Sequence, residues 1–107
     1  MSFSPPLCIG RKAIRIDQIV RLEADRNYTY IFLRDGSKQL MANTMAYYES
    51  ALPSYFVRVH RSHYINLNEV KLMYKTAHST IELKDGKRIP IARRRWKELK
   101  TQFRKLT

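Results

Sequence analysis

The sequence predicts a mainly β protein with two short helices, and three observations carry that prediction. Segments such as KAIRI, QIVRLEA and YTYIFL alternate apolar and polar residues with period two, the pattern of half-buried strands. Asp35-Gly36 and Asp85-Gly86 each separate two such segments, and Asp-Gly suits a type I′ hairpin turn because both central residues there need positive φ. Only two stretches show helical periodicity, and both are short.

Residues 1–11, with Pro5 and Pro6, read as a loose lead-in, and the folded domain is expected over residues 12–107. Asp17 marks a tight break between KAIRI and QIVRLEA, and YTYIFL and KQLMA flank the first Asp-Gly turn. Thr44 to Leu52 places Met45, Tyr48 and Leu52 on one helical face and stops at Pro53. Phe56 to His60, Tyr64 to Asn66 and then VKLMYK read as strands. STIEL and KRIPI flank the second Asp-Gly turn. Pro90 lacks a ladder donor and so belongs on an edge or a bulge. From Arg93 to Leu106, Trp96, Leu99, Phe103 and Leu106 form an apolar stripe opposite a basic face. At an offset of fifty, IFLRDGSKQLMA and IELKDGKRIPIA share Ile, Leu, a basic residue, Asp-Gly and a final Ala, each followed by a helical segment. That reads as hairpin-then-helix used twice, although a short hairpin consensus also arises by chance.

At 107 residues the chain has room for one domain, and 21 Lys and Arg against 9 Asp and Glu give it a net charge of +12. Such a field attracts polyanions, either nucleic acid or an anionic membrane surface. Cys8 is the sole cysteine, so no intramolecular disulfide forms. The N-terminus lacks a signal-peptide pattern and no window is apolar enough to span a membrane, so a cytoplasmic protein without a membrane partner is expected.

Enzyme chemistry finds no apparatus. His60 and His63 have no carboxylate or cysteine near them at metal-site spacing, His78 is isolated, and Ser62 lacks a nucleophile elbow. Three unclustered glycines exclude a phosphate loop or a dinucleotide fingerprint. The expectation is a non-enzyme without cofactor or metal, and a nuclease built on His60 and His63 is the weakest reading.

Nucleic-acid binding remains, and FVRVHRSHYINLNEV carries it. If the strand ends at His60, Arg61 projects from the following turn, where its fork can pair two acceptors of guanine; lysine cannot do so. Ser62 suits a phosphate oxygen. The blander reading has Arg61 cap a strand or pair with Glu69. A runner-up function is a general RNA- or polyanion-binding module with Tyr28, Tyr30 and Phe32 on one face as stacking platforms. The two helices lie too far apart for a helix-turn-helix, so a major groove would have to be read from loops and a helix N-terminus.

The same segment closely resembles the signature of the LytTR DNA-binding domain, F-x-R-x-H-R-S-x-x-V-N-x-x-x-I, at Phe56, Arg58, His60, Arg61, Ser62, Asn66 and Val70. IVRLEADRNYTYIFLRDG is similar to the family's opening strands through Glu23, Asn27 and Tyr28, and IPIARRRWKEL to its closing strand and helix. The resemblance covers Lys12 to Leu106. It implies an elongated arrangement of short antiparallel sheets with two short helices. It also implies sequence-specific binding of double-stranded DNA by the output domain of a bacterial response regulator, with loops entering successive major grooves of a bent duplex. Arg61 and Arg93 match base-reading positions, and Asn27 or Tyr28 matches a third. Charge and position, not the signature, add Ser62, Arg94 and Lys87 as phosphate contacts. His60 is expected to hold the turn and Asn66 to fix the loop backbone. Direct repeats, with a second copy on the adjacent site, follow from the family's habit.

Three departures stand out. His63 replaces a bulky apolar residue, and Ala92 replaces a frequent N-capping Ser, removing a bond worth ~1 kcal/mol. No phosphoacceptor receiver domain precedes Lys12, so a stand-alone regulator or an excised fragment is expected.

Overall fold

The computed structural model describes residues 8–9 and 13–106. β1 (Cys8–Ile9) pairs with β2 (Ile14–Arg15), and a 3₁₀ turn at Ile16–Gln18 leads into β3 (Ile19–Asp25). β4 (Tyr28–Leu33), β5 (Lys38–Met41) and α1 (Met45–Ala51) follow. β6 (Phe56–His60), β7 (His63–Asn66), a second 3₁₀ turn at Leu67–Glu69 and β8 (Val70–Tyr74) come next. The chain closes with β9 (Thr80–Leu83), β10 (Arg88–Pro90), a 3₁₀ turn at Arg93–Arg95 and α2 (Trp96–Leu106). Among the described residues all pairings are antiparallel: a five-stranded sheet ordered β5-β4-β3-β7-β6, a three-stranded sheet ordered β10-β9-β8, and the β1–β2 pair.

The mainly β class with two short helices is therefore present, and Pro90 lies on an edge strand, where its missing donor costs no ladder bond. Most of the lead-in expected over residues 1–11 lies outside the described residues, as does the side chain of Leu106 in the helical stripe. Within that lead-in, Cys8 and Ile9 pair with β2, and Ile9 is buried. The molecule measures 40 × 39 × 24 Å.

The five-stranded sheet is the middle layer because its strands are apolar on both faces. Phe56 and Tyr64 point into one core with Leu22, Ile31, Met45 and Tyr48, which α1 covers. Their neighbours Val57, Val59 and Ile65 point into a second core with Ile81, Leu83, Ile89 and Leu99, supplied by the three-stranded sheet and α2. Period two in the sequence thus becomes two packed layers.

Both Asp-Gly hairpins differ from the expected type I′ turn. Gly36 (φ 90°) and Gly86 (φ 93°) have positive φ, whereas Asp35 and Asp85 do not. Gly36 N–H donates to the Leu33 carbonyl and Leu33 N–H to the Ser37 carbonyl, the pattern of a type I turn followed by a bulged glycine. Asp35 Oδ1 accepts from Ser37 N–H at 2.8 Å, which holds the aspartate as an acceptor at the turn. Gly86, Leu83 and Lys87 repeat these backbone bonds, and Asp85 Oδ1 accepts from Lys87 N–H at 2.9 Å. The likeness extends upstream. Each hairpin is preceded by a 3₁₀ turn and by a strand bulged in its first residues, between Ile19 and Arg21 or between Val70 and Leu72. Arg34 N–H reaches the Gln18 carbonyl and Lys84 N–H the Glu69 carbonyl in the same manner. The offset likeness of the two hairpins is thus one structural device used twice.

Candidate nucleic-acid interface

Three basic segments meet at one end of the five-stranded sheet, and strand pairing puts them there. β3 ends at Asp25 and β7 begins at His63, with Glu23 opposite His63, so the Arg26–Asn27 turn and the Arg61–Ser62 turn lie side by side. Ala24 N–H donates to the Ser62 carbonyl at 2.9 Å and joins the two. The third segment is the 3₁₀ turn before α2. Ala92 N–H donates to the Val59 carbonyl at 2.7 Å, and Arg95 Nη1 donates to the Arg58 carbonyl at 3.3 Å, so this turn is fixed to β6 beside Arg61.

The Arg61 turn is held from several sides. Arg58 shares the α1-facing side of β6 with Phe56, where a cation requires partners. Its Nη1 donates to Glu49 Oε1 of α1 at 2.7 Å and its Nη2 to the Arg61 carbonyl at 2.7 Å. His60 Nδ1 accepts from Ser62 N–H at 3.3 Å, which requires that nitrogen to be unprotonated. The Arg61 guanidinium is exposed and makes no hydrogen bond or ion pair among the described residues. Glu69 is buried and engaged elsewhere: Arg34 Nε and Nη2 reach its Oε2 at 2.9 and 2.7 Å.

The remaining sequence-selected residues distribute as follows. Arg93 and Arg94 are exposed without partners for their guanidinium groups among the described residues, and Asn27 and Tyr28 are exposed at the neighbouring hairpin tip. Lys87 is exposed and close enough for its charge to act on Glu23 and His63. Asn66 is buried at the opposite end of β7 from the Arg61 turn. There it donates to the Ile19 carbonyl at 3.0 Å and accepts from Asn68 N–H at 2.9 Å. The loop it fixes is therefore the 3₁₀ turn Leu67–Glu69, not the Arg61 turn.

Beneath this end, His63 is half-buried with its Nδ1 4.0 Å from Glu23 Oε1. Burial pushes its pKa below the ordinary value of 6.5; Glu23 pulls the other way, while His60, Arg21 and Lys87 add to the depression. The contact with Glu23 is therefore not an ion pair at neutral pH. Burial raises the Glu23 pKa, but the hydrogen bond and charge of Arg21, with His63 and Lys87, more than offset this and leave it lowered.

Arg58, Glu49 and Arg95 were given no role by sequence reasoning. The period-two pattern of FVRVH does put Arg58 on the Phe56 face, but its partner nine residues away has no local signal. Arg26 was also missed: it has φ 59°, a left-handed conformation uncommon for a residue with a side chain, at the tip beside Asn27. The aromatic face proposed for stacking is partly covered. Arg21 lies 3.6 Å from the Phe32 ring centroid and Lys38 4.7 Å from that of Tyr30. Among the described residues, no group of three or more His, Cys, Asp and Glu could hold a metal, and no helix is long and apolar enough to cross a membrane.

The family model of the LytTr DNA-binding domain matches residues 10–104. Over 88 residues the chain is 30% identical to the transcriptional regulatory protein YpdB of Escherichia coli O6:H1, covering 79% of this chain and 36% of that protein. The chain thus spans about a third of that relative's length. In fold it is similar to the LytTr DNA-binding domain of a putative methyl-accepting/DNA response regulator from Bacillus cereus. The TM-score is 0.74 at 20% identity, over 89% of this chain and 92% of that one.

Proposed function

Because the chain belongs to the LytTr DNA-binding domain family, we propose that it binds double-stranded DNA sequence-specifically in the cytoplasm as part of a bacterial transcription regulator. Turns and a helix junction enter successive major grooves, with no recognition helix. The observation that carries this reading is the exposed Arg61 guanidinium, unpaired among the described residues, on a turn whose backbone is tied to Arg58, His60 and Ala24. A guanidinium can bond both major-groove acceptors of guanine, and a turn already ordered loses little entropy when it does so. Arg93 is the second reader, and Asn27 with Tyr28 supplies the third contact from the adjoining hairpin. Ser62, Arg94 and Lys87 hold phosphates. The net charge of +12 draws the protein to any duplex and accelerates encounter.

Two copies occupy direct repeats, one beside the other. Selection of bound duplexes from a random pool tests the reading. The expected product is a short motif containing guanine, repeated at a spacing near one helical turn, roughly 10 base pairs. A pool that shows no enrichment after repeated rounds contradicts it. Lys87→Ala and Arg94→Ala are expected to weaken binding to every sequence and to make the salt dependence shallower; an unchanged slope removes that residue from the phosphate contacts.

A further inference from the structure

Beside the third turn lies a cleft whose far wall, residues 75–79, no proposed contact uses. It has a volume of about 650 Å³ and runs between the β8–β9 loop, residues 75–79, and the first turn of α2. Its lining includes Lys75, His78, His60, Arg93, Arg94 and Lys97 and, among the described residues, no acidic one. Both walls are anchored. Ile91 N–H donates to the Ser79 carbonyl at 3.0 Å, Thr76 Oγ1 donates to the His78 carbonyl at 2.9 Å, and Lys75 Nζ lies 5.9 Å from the Trp96 ring centroid. Four permanent cations around one concavity repel one another, and no carboxylate in the lining relieves this. An anion in the cleft does.

We propose that this cleft is a phosphate-binding site, formed by Lys75, Lys97 and the hydroxyl of Ser79 together with Arg94. His60 lines the cleft and directly precedes Arg61, so a DNA strand passing the Arg61 turn continues into it. This assignment to a DNA strand rests on the reading given under Proposed function. The same chemistry also accepts the phosphate of a free nucleotide, and two experiments separate the sources.

The first compares wild type with Lys75→Ala/Lys97→Ala on a random duplex across salt concentrations. Both lysines are exposed, and a retained amide spectrum verifies the fold. If the DNA backbone occupies the cleft, affinity falls several-fold and the logarithmic salt slope becomes shallower by about 0.9 for each phosphate that the variant no longer neutralises. The second titrates the DNA-free protein with thymidine 5′-monophosphate and follows the amides of residues 75–79 and 93–97. Shifts there that are abolished in the double variant identify the cleft as a phosphate site even if no duplex binds. A changed slope without such shifts assigns it to the DNA strand alone, and shifts with unchanged duplex binding assign it to a free phosphate compound. An unchanged slope together with unshifted amides overturns the proposal while leaving the Arg61 reading intact.

Discussion

Arg58 controls the Arg61 turn through two charge-assisted bonds, one to Glu49 and one to the Arg61 carbonyl, each 2.7 Å. Lysine at this position keeps the charge but cannot span both acceptors with a planar fork. Arg58→Lys is therefore expected to weaken specific DNA binding by ~1 kcal/mol, about fivefold, with binding to random duplex little changed. Titration of both duplexes by fluorescence anisotropy checks this, and equal affinities for variant and wild type would remove Arg58 from the positioning role. His63 gives a prediction about acid. Its folded-state pKa is depressed by burial, so the unfolded chain binds the proton more readily. Its contribution to stability is present above the ordinary value of 6.5 and is lost as pH falls through the lower folded-state value. Denaturant titrations at several pH values should find stability declining below about pH 6.5 in wild type and a flatter profile in His63→Leu. Parallel profiles would assign the decline to other groups.

The junction before α2 is the element with the clearest local deficit. Ala92 has the extended backbone of an N-cap residue, φ −62° and ψ 134°, but no side-chain oxygen to accept an amide of the first turn. Ala92→Ser is expected to stabilise the protein by about 0.5–1 kcal/mol, read as a rise in melting temperature with the fold retained. A fall would mean that the contacts of Ala92 with β6 cannot accommodate the hydroxyl. The elements also divide by how far local pattern specifies them. β3 to β10 and both helices were legible because period two, period 3.6 and turn residues are properties of neighbouring positions. The 3₁₀ turns at Ile16–Gln18 and Leu67–Glu69 were not, since three residues are too few to show a period. Asp-Gly marked both hairpins correctly but not their geometry, because that dipeptide also fits a type I turn with a bulged glycine. The candidate site was legible where one side chain decides its exposure, as at Arg61. It was hidden where pairing is long-range: Arg34 with Glu69 is 35 residues apart in sequence, and Arg95 with the Arg58 carbonyl 37.

At the scale of the whole molecule, two cores lie on opposite faces of one sheet, and the exposed Arg26, Arg61, Arg93 and Arg94 lie at its turn-bearing end. The field from 21 basic against 9 acidic residues supplies attraction to any duplex, but it carries no sequence information. Discrimination must come from side chains that reach base edges, and Arg61 is the residue proposed first for that role. The most direct measurement is the affinity of wild type and Arg61→Ala for a selected duplex and for a random one at fixed salt. If Arg61 reads a base, the selected duplex loses ~1–3 kcal/mol of binding while weak binding to the random one is retained. An equal loss on both, or no loss on either, contradicts it.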